Sequence, residues 1–370
     1  MAIKLSILKL ALKVYNNPII AFKVLRTLSK RVQKFHLNSE SPRYIKSGSS
    51  YFWDCDFPGW PSKTFDNYIL KEFKRSESKE LIKKPLQTII FAITNRCPLK
   101  CEHCFEWDKL NTVDKLSFNE LKQILIKIQD LDIYHIQLSG GEPLLRFEDM
   151  IELMKYANPI TNFWLLTSGF SLTNEKASLL KEAGLTGVNI SLDHWNEIYH
   201  NEFRNNNSAY KWVVEAVENC KKNDIIVSLS LCATKQFISE DNLWKYVRLA
   251  KEWNVEFIRI LEPRNVGRYV NSNSELDSFH INILETFYHK LRSDKNLRDH
   301  PILVYPGYYQ RRIGCVGAGN RYLYIDSNAD IHACPFCLNK QGNALDDSFE
   351  SVLKHLKGSK CQAFEMNFAD

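Results

Sequence analysis

Between residues 87 and 261, short apolar runs alternate with longer segments of helical period. The apolar runs at 87–93, 133–138, 162–166, 187–192, 225–233 and 257–261 read as buried strands. Helical patterns fall between them, near 117–130, 147–157, 173–183, 208–222 and 240–253, and a sixth follows near 278–292. Strand-then-helix alternation predicts a parallel α/β unit, because parallel strands need a crossover and a helix is the usual one. An open six-strand (βα)6 barrel fits this pattern, and so does a doubly wound sheet. In both, functional groups collect at the C-terminal ends of the strands.

The flanks read differently. Leu5, Leu8, Leu12 and Tyr15 give residues 3–15 one helical stripe, with Lys9 and Lys13 off it. Asn16-Asn17-Pro18 interrupts the pattern, and Pro18 suits the first turn of a second helix. Ile20, Val24, Leu28, Val32 and Phe35 form its stripe, beside Lys23, Arg26 and Lys30. Such a pair packs on the main domain as a helical hairpin, or lies on an anionic membrane surface or holds a partner. Serines at 39, 41, 47, 49 and 50 mark a polar linker. The aromatic stretch 51–61 then lines a substrate entrance or covers an edge of the core, with Cys55 read as a packed thiol. Residues 67–84 read as a charged surface helix or connector. The expected division is an N-terminal basic helical extension with an aromatic linker at 1–86, the barrel at 87–295 and a small C-terminal unit at 296–370.

Composition narrows the class. The chain has 370 residues, 44% of them hydrophobic and 25% charged, as expected for a soluble globular protein. Residues 1–37 hold eight basic side chains and no acid, while the whole chain is only +6, so the remainder is slightly acidic. That argues against a nucleic-acid-binding body. There is no cleavable signal-peptide pattern and no uncharged apolar window of about 18 residues. A cytoplasmic protein is expected, with membrane-surface contact through residues 1–37 as the variant reading. In that setting ten cysteines point to metal rather than disulfides.

Three of them, Cys97, Cys101 and Cys104, follow the first strand at C-x3-C-x2-C spacing. Thiolates bind soft metals and iron–sulfur clusters, and three ligands leave one iron of a four-iron cluster open to a cofactor. A structural zinc would close four ligands, which this loop alone does not offer. Other strand ends carry small and polar groups. Ser139-Gly140-Gly141-Glu142-Pro143 follows the second strand and Thr167-Ser168-Gly169 the third. Asn189 and Ser191 alternate on the fourth, which ends at Asp193-His194, and Arg204 is expected in the next loop. A second cysteine set comprises Cys315, Cys334, Cys337 and Cys361. Tyr322, Tyr324 and Ile331 suit a hairpin turning at 326–330, which would bring Cys315 to Cys334. Cys361 would then close the site from beyond a helix near 348–357. Four thiolates suit zinc or a [4Fe–4S] cluster. Cys220 and Cys232 read as packed thiols.

Cys97, Cys101 and Cys104 after the first strand, with Gly140-Gly141-Glu142-Pro143 after the second, resemble the signature of the radical SAM superfamily. The resemblance covers roughly residues 87–270. It implies a partial (βα)6 barrel whose [4Fe–4S] cluster holds S-adenosylmethionine on its open iron. Reductive cleavage would then give a 5′-deoxyadenosyl radical that abstracts a substrate hydrogen. By the same resemblance Gly140, Gly141 and Glu142 meet the methionine amino group. Ser191 lies near ribose or carboxylate, Arg204 pairs with the methionine carboxylate, and His103 lies near adenine. Ser168 departs from the family's usual Thr-Asn-Gly. The stretches around Cys315 and Cys334-Pro335-Phe336-Cys337, with Gly342-Asn343, resemble the auxiliary-cluster extension of SPASM or twitch type. Four cysteines imply one auxiliary [4Fe–4S] cluster and argue against a two-cluster sulfatase-maturase arrangement. The resemblance implies oxidative modification of a peptide or protein first, and oxidation or ring closure of a small molecule second. A flavodoxin- or ferredoxin-like protein would supply the electron. A non-catalytic zinc or cluster module is the reading from another class.

Overall fold

The computed structural model describes residues 2–36, 43–77, 85–315, 317, 319–346 and 348–356. The chain opens with two helices, α1 (Ala2–Tyr15) and α2 (Pro18–His36), then a small antiparallel pair, β1 (Ile45–Ser47) and β2 (Ser50–Phe52), then α3 (Lys63–Glu77). The alternating unit runs β3 (Thr88–Ala92), α4 (Phe118–Asp130), β4 (His135–Ser139), α5 (Phe147–Tyr156), β5 (Asn162–Thr167) and α6 (Asn174–Glu182). It continues through β6 (Leu185–Ser191), α7 (Glu197–Arg204), α8 (Ala209–Lys222), β7 (Ile226–Cys232), α9 (Glu240–Glu252), β8 (Phe257–Leu261) and α10 (Ser278–Ser293). After it come β9 (Ile302–Val304), α11 (Pro306–Ile313), β10 (Tyr322–Ile325), β11 (Asp330–Cys334), β12 (Cys337–Asn343) and α12 (Phe349–Leu356).

Strands β3 to β8 lie in chain order and are all parallel. This is the expected six-strand unit. Beyond that pattern, the sheet has ten strands: β9 adds in parallel to β8 and β10 in parallel to β3. The hairpin expected at 322–334 forms, with β10 antiparallel to β11, but its first strand continues the barrel sheet rather than standing apart. A further strand, β12, extends it. The six helices expected in and after the unit form close to their bounds. Several of their starts follow from local chemistry: Ser117 with Glu120 makes a full capping box, and the Thr173 and Ser239 side chains cap α6 and α9. Two short helices escape the periodicity. One is α7, capped by Asn196 and ended by Asn205 in the left-handed conformation. It carries Arg204 as its last residue, where a loop was expected.

Alternation sorts the strand residues. Phe91, Ile136, Leu138, Leu165, Val188 and Leu229 point outward under the helices and form the main core. Gln137, Trp164, Asn189, Ser228 and Arg259 occupy the opposite, inward positions. The N-terminal end of the interior is filled from outside the barrel. Phe52 and Cys55 pack there against Trp164, Ile226, Phe257, Ile302 and Val304. Helix α3 is fastened beside β3 and β10 by Arg321, which pairs with Glu72 at 2.9 Å and bonds Gln87 at 2.6 Å.

The N-terminal helices form a hairpin on α3. Ile3, Ile7, Leu10, Ala11 and Tyr15 of α1, with Ala21, Val24 and Leu28 of α2, pack against Phe65, Ile69 and Phe73. This corrects the stripe read from sequence. Tyr15 faces inward, whereas Leu5 and Leu12 are exposed, because α1 is apolar on two faces and only one can meet α3. Ile20, placed on the α2 stripe, is likewise exposed, and Ala21 takes the inward place.

Candidate active site

Beyond β3 the chain makes a long loop that carries the first three cysteines. It is closed by its own polar residues. Thr94 donates its hydroxyl to the Asp114 carboxylate at 2.8 Å, and the Asn95 backbone N–H does so at 2.7 Å. Arg96 pairs with Asp114 at 3.0 Å, and the Cys97 N–H donates to the Asn111 side chain at 3.0 Å. Cys101 is buried, while Cys97 and Cys104 are half-buried beside it. Burial pushes the Cys97 thiol up to about 12 and the Cys104 thiol up to about 11. Loading a metal there must therefore release protons.

The second loop docks directly on the first. Gly141 N–H donates to the Thr94 carbonyl at 2.8 Å and Glu142 N–H to the Arg96 carbonyl at 2.7 Å. A Cβ at Gly140 or Gly141 would overlap those same backbone groups, and Gly140 also has a φ of +145°. Glu142 itself is fully buried. Its carboxylate accepts from the Leu144 N–H at 3.2 Å, the Thr167 hydroxyl at 2.7 Å, the Ser168 N–H at 2.8 Å and the Ser168 hydroxyl. Burial raises its pKa and these donors oppose the rise. The structure thus places the Glu142 and Ser168 side chains in a brace between the second and third loops.

Arg204, Ser191 and His103 meet at the mouth of the barrel, where they line one small cavity with Asp193, Ser230, Cys232 and Glu262. The Arg204 Nε and Nη2 donate to one Asp193 oxygen at 2.6 and 2.5 Å. Its Nη1 stands 3.5 Å from the Cys101 sulfur. Burial opposes the Asp193 charge most strongly, but Arg204, His103, His200 and the Cys232 N–H together outweigh it and hold the carboxyl below its usual range. The Asp193 N–H donates to His200 Nδ1 at 3.1 Å, so that ring accepts there and is neutral; burial lowers it to about 3. His103 stacks on Phe203 with centroids 4.8 Å apart, and burial lowers it to about 4. Its Nδ1 has no partner. An unpaired buried nitrogen lining the same cavity as a buried, fixed cation suits a polar ligand at this mouth.

The second cysteine set enters from the other side. Cys334 ends β11 and Cys337 begins β12, paired across the two-residue turn Pro335-Phe336. The Cys315 loop lies over them: a Cβ at Gly317 would sit 3.1 Å from the Cys334 Cβ. Cys361 lies outside the described residues. Cys315, Cys334 and Cys337 all line a cavity of about 1450 Å³ that runs along the barrel interior to the underside of α1. Phe336 borders both this cavity and the smaller one, and its ring meets Phe105, the neighbour of Cys104, at 6.1 Å.

The floor of the large cavity comes from the aromatic linker. Trp53, Asp54, Asp56, Phe57 and Trp60 line it, so the stretch lines a binding space and also closes the barrel's end. Asp56 accepts from Gln137 at 2.9 Å and pairs with Arg259 at 3.2 Å. Asp54 is pushed up to about 7 by burial and by the Asp56 charge. Arg259 and Gln137 were missed from sequence, although a signal exists: each is a polar residue at an inward position of an otherwise apolar parallel strand. Cys232, read as a packed thiol, is buried but also borders the smaller cavity.

Known proteins resemble this chain in sequence and in fold. Residues 91–250 match the radical SAM superfamily. The chain is 27% identical over 225 residues to a GTP 3′,8-cyclase of Clostridium perfringens, covering 60% of this chain and 68% of that protein. It is 34% identical over 153 residues to the PqqA peptide cyclase of Bradyrhizobium diazoefficiens, covering 38% of this chain and 39% of that one. Among solved structures, Streptococcus suis SuiB bound to its precursor peptide SuiA superposes with a TM-score of 0.61 at 14% identity, over 92% of this chain and 80% of SuiB. At that identity the likeness is one of fold.

Proposed function

From a radical SAM domain at residues 91–250, we infer that the chain modifies a peptide or protein by hydrogen abstraction. Cys97, Cys101 and Cys104 would hold a [4Fe–4S] cluster, with S-adenosylmethionine in the adjoining polar mouth. Once bound, the two supply a carbon-centred radical for hydrogen abstraction. The chain's own part is positional. The Asp114 bonds fix the cysteine loop. The Glu142 brace holds the second and third loops at one level. Arg204, anchored by Asp193, sets a positive charge beside Cys101 and the mouth. Ser191 and His103 line the same mouth. Cys315, Cys334 and Cys337, with Cys361 as the candidate fourth ligand, would hold an auxiliary cluster able to accept the electron that a substrate radical gives up on oxidation.

The observation that carries the peptide reading is the large cavity. At about 1450 Å³ it exceeds the roughly 300–1000 Å³ of small-molecule sites; it borders the second cysteine set and shares Glu262, Arg264 and Phe336 with the small cavity. Oxidation or ring closure of a small molecule is the second reading, favoured by the likeness to the GTP 3′,8-cyclase. The test is anaerobic reconstitution with iron and sulfide, reduction, and addition of S-adenosylmethionine with peptides encoded beside the gene. Formation of 5′-deoxyadenosine together with a peptide lighter by two hydrogens is the expected result. No 5′-deoxyadenosine from a fully loaded protein would overturn the radical reading. Its formation with turnover of a small molecule and of none of the peptides would overturn the peptide reading.

A further inference from the structure

We propose that the outer face of the α1–α2 hairpin docks on an anionic lipid surface. The hairpin packs inward on α3, which leaves a second apolar face turned away from the protein. On α1 this face carries Leu5 and Leu12, 52% and 38% exposed, one turn from Lys9 and Lys13. On α2 it carries Ile19 and Phe22, 78% and 62% exposed, flanked by Lys23, Arg26 and Lys30. Val14 and Ile20 add exposed apolar surface at the end where Asn16 and Asn17 join the helices.

Three features select the occupant. The exposed side chains are large and apolar, and Leu12, Val14, Ile19, Ile20 and Phe22 all lie near the turn that joins the two helices, where they can enter the headgroup region together. Every charged residue among 1–37 is basic, so the surface they meet should be negative. Neither helix is long and apolar enough to cross a membrane, so the hairpin would lie on the bilayer. A folded second copy is a poorer match, because it would present the same positive face to itself. The underside of the hairpin roofs the large cavity through Ile3, Lys4, Ile7 and Leu28. Docking would therefore hold the roof of that cavity against the lipid. The proposal does not depend on the substrate reading.

The experiment is flotation of the full chain with vesicles of phosphatidylcholine alone, or with about one third phosphatidylglycerol, at low and high salt. The chain should float with the anionic vesicles and be released by salt. Ile19→Ser with Phe22→Ser should lower partition about tenfold per site. Changing Lys9, Lys13 and Lys23 to Gln should lower it about fivefold per charge. These side chains are solvent-exposed, so circular dichroism and the unfolding midpoint should not move. No flotation with anionic vesicles at low salt would overturn the proposal. So would equal flotation of the Ile19/Phe22 variant, which would mean adsorption by charge alone. A wild-type dimer that the same variant dissociates, without lipid binding, would give the face to a second copy instead.

Discussion

The two cysteine sites are built on opposite plans. Cys97, Cys101 and Cys104 sit within eight residues of one loop, and that loop is closed by neighbours in sequence such as Asn111 and Asp114. Cys315 comes from the loop after α11, Cys334 from the end of one strand and Cys337 from the start of another; Cys334 and Cys337 are opposed by the pairing of β11 with β12, and the Cys315 loop lies over Cys334. The first site adjoins a small polar mouth and the second a large, mostly apolar cavity. A locally closed loop can present ligands to a cofactor with little help from the rest of the chain. A site assembled from distant strands is tied to the shape of the cavity it borders. This difference fits a division of labour in which one site starts the chemistry and the other meets its product.

The widest separation should come from the cysteines themselves. Cys101→Ala should bring S-adenosylmethionine cleavage below detection and remove about one cluster's iron. Cys334→Ala should also remove about one cluster's iron but leave substrate-free cleavage within a few-fold of wild type. Iron analysis and 5′-deoxyadenosine assays read both, and loss of cleavage in Cys334→Ala would end the comparison. Next in size is Glu142→Ala, which strands the buried Thr167 and Ser168 donors and should cost about 3 kcal/mol in denaturant unfolding. An unchanged midpoint would mean that the second and third loops stand without the brace.

Arg204→Lys keeps the charge but loses the two-nitrogen grip on Asp193. It should weaken S-adenosylmethionine binding roughly 10- to 100-fold in equilibrium dialysis of the reconstituted protein. Wild-type binding would show that the mouth does not need a fixed guanidinium. The smallest effect is expected at the cavity floor. Burial raises Asp54 from its ordinary value to about 7, so the folded chain holds a proton there that the unfolded chain releases earlier. The stability linked to that proton is complete below about pH 4 and is lost as pH rises through 7. Asp54→Asn should match wild-type thermal stability in acid and exceed it by a few degrees above pH 7. Parallel curves from pH 4 to 8 would show that Asp54 titrates normally.

How much was legible depended on the range of the forces involved. The six parallel strands and their helices were readable because each strand is a continuous apolar run and several helices announce their first turn with Ser or Thr. The three-cysteine loop was readable because its ligands are close in sequence. The outward face of α1 was misread, since an element apolar on two sides does not say which side is covered. The brace formed by Glu142 was hidden in the same way: its partners Thr167 and Ser168 lie one crossover away.

The sequence by itself determined the strand–helix alternation and the loop that presents Cys97, Cys101 and Cys104. These rest on hydrophobic periodicity and on short-range hydrogen bonding, which act within about twenty residues of chain. Only the tertiary structure decided that β10 joins the barrel sheet beside β3, that Arg204 reaches both Asp193 and Cys101, and that Asp54 and Asp56 floor a cavity bordered by the second cysteine set. Those outcomes depend on which surfaces of distant segments are buried against each other. A linear pattern records how apolar a residue is, but not which partner it meets.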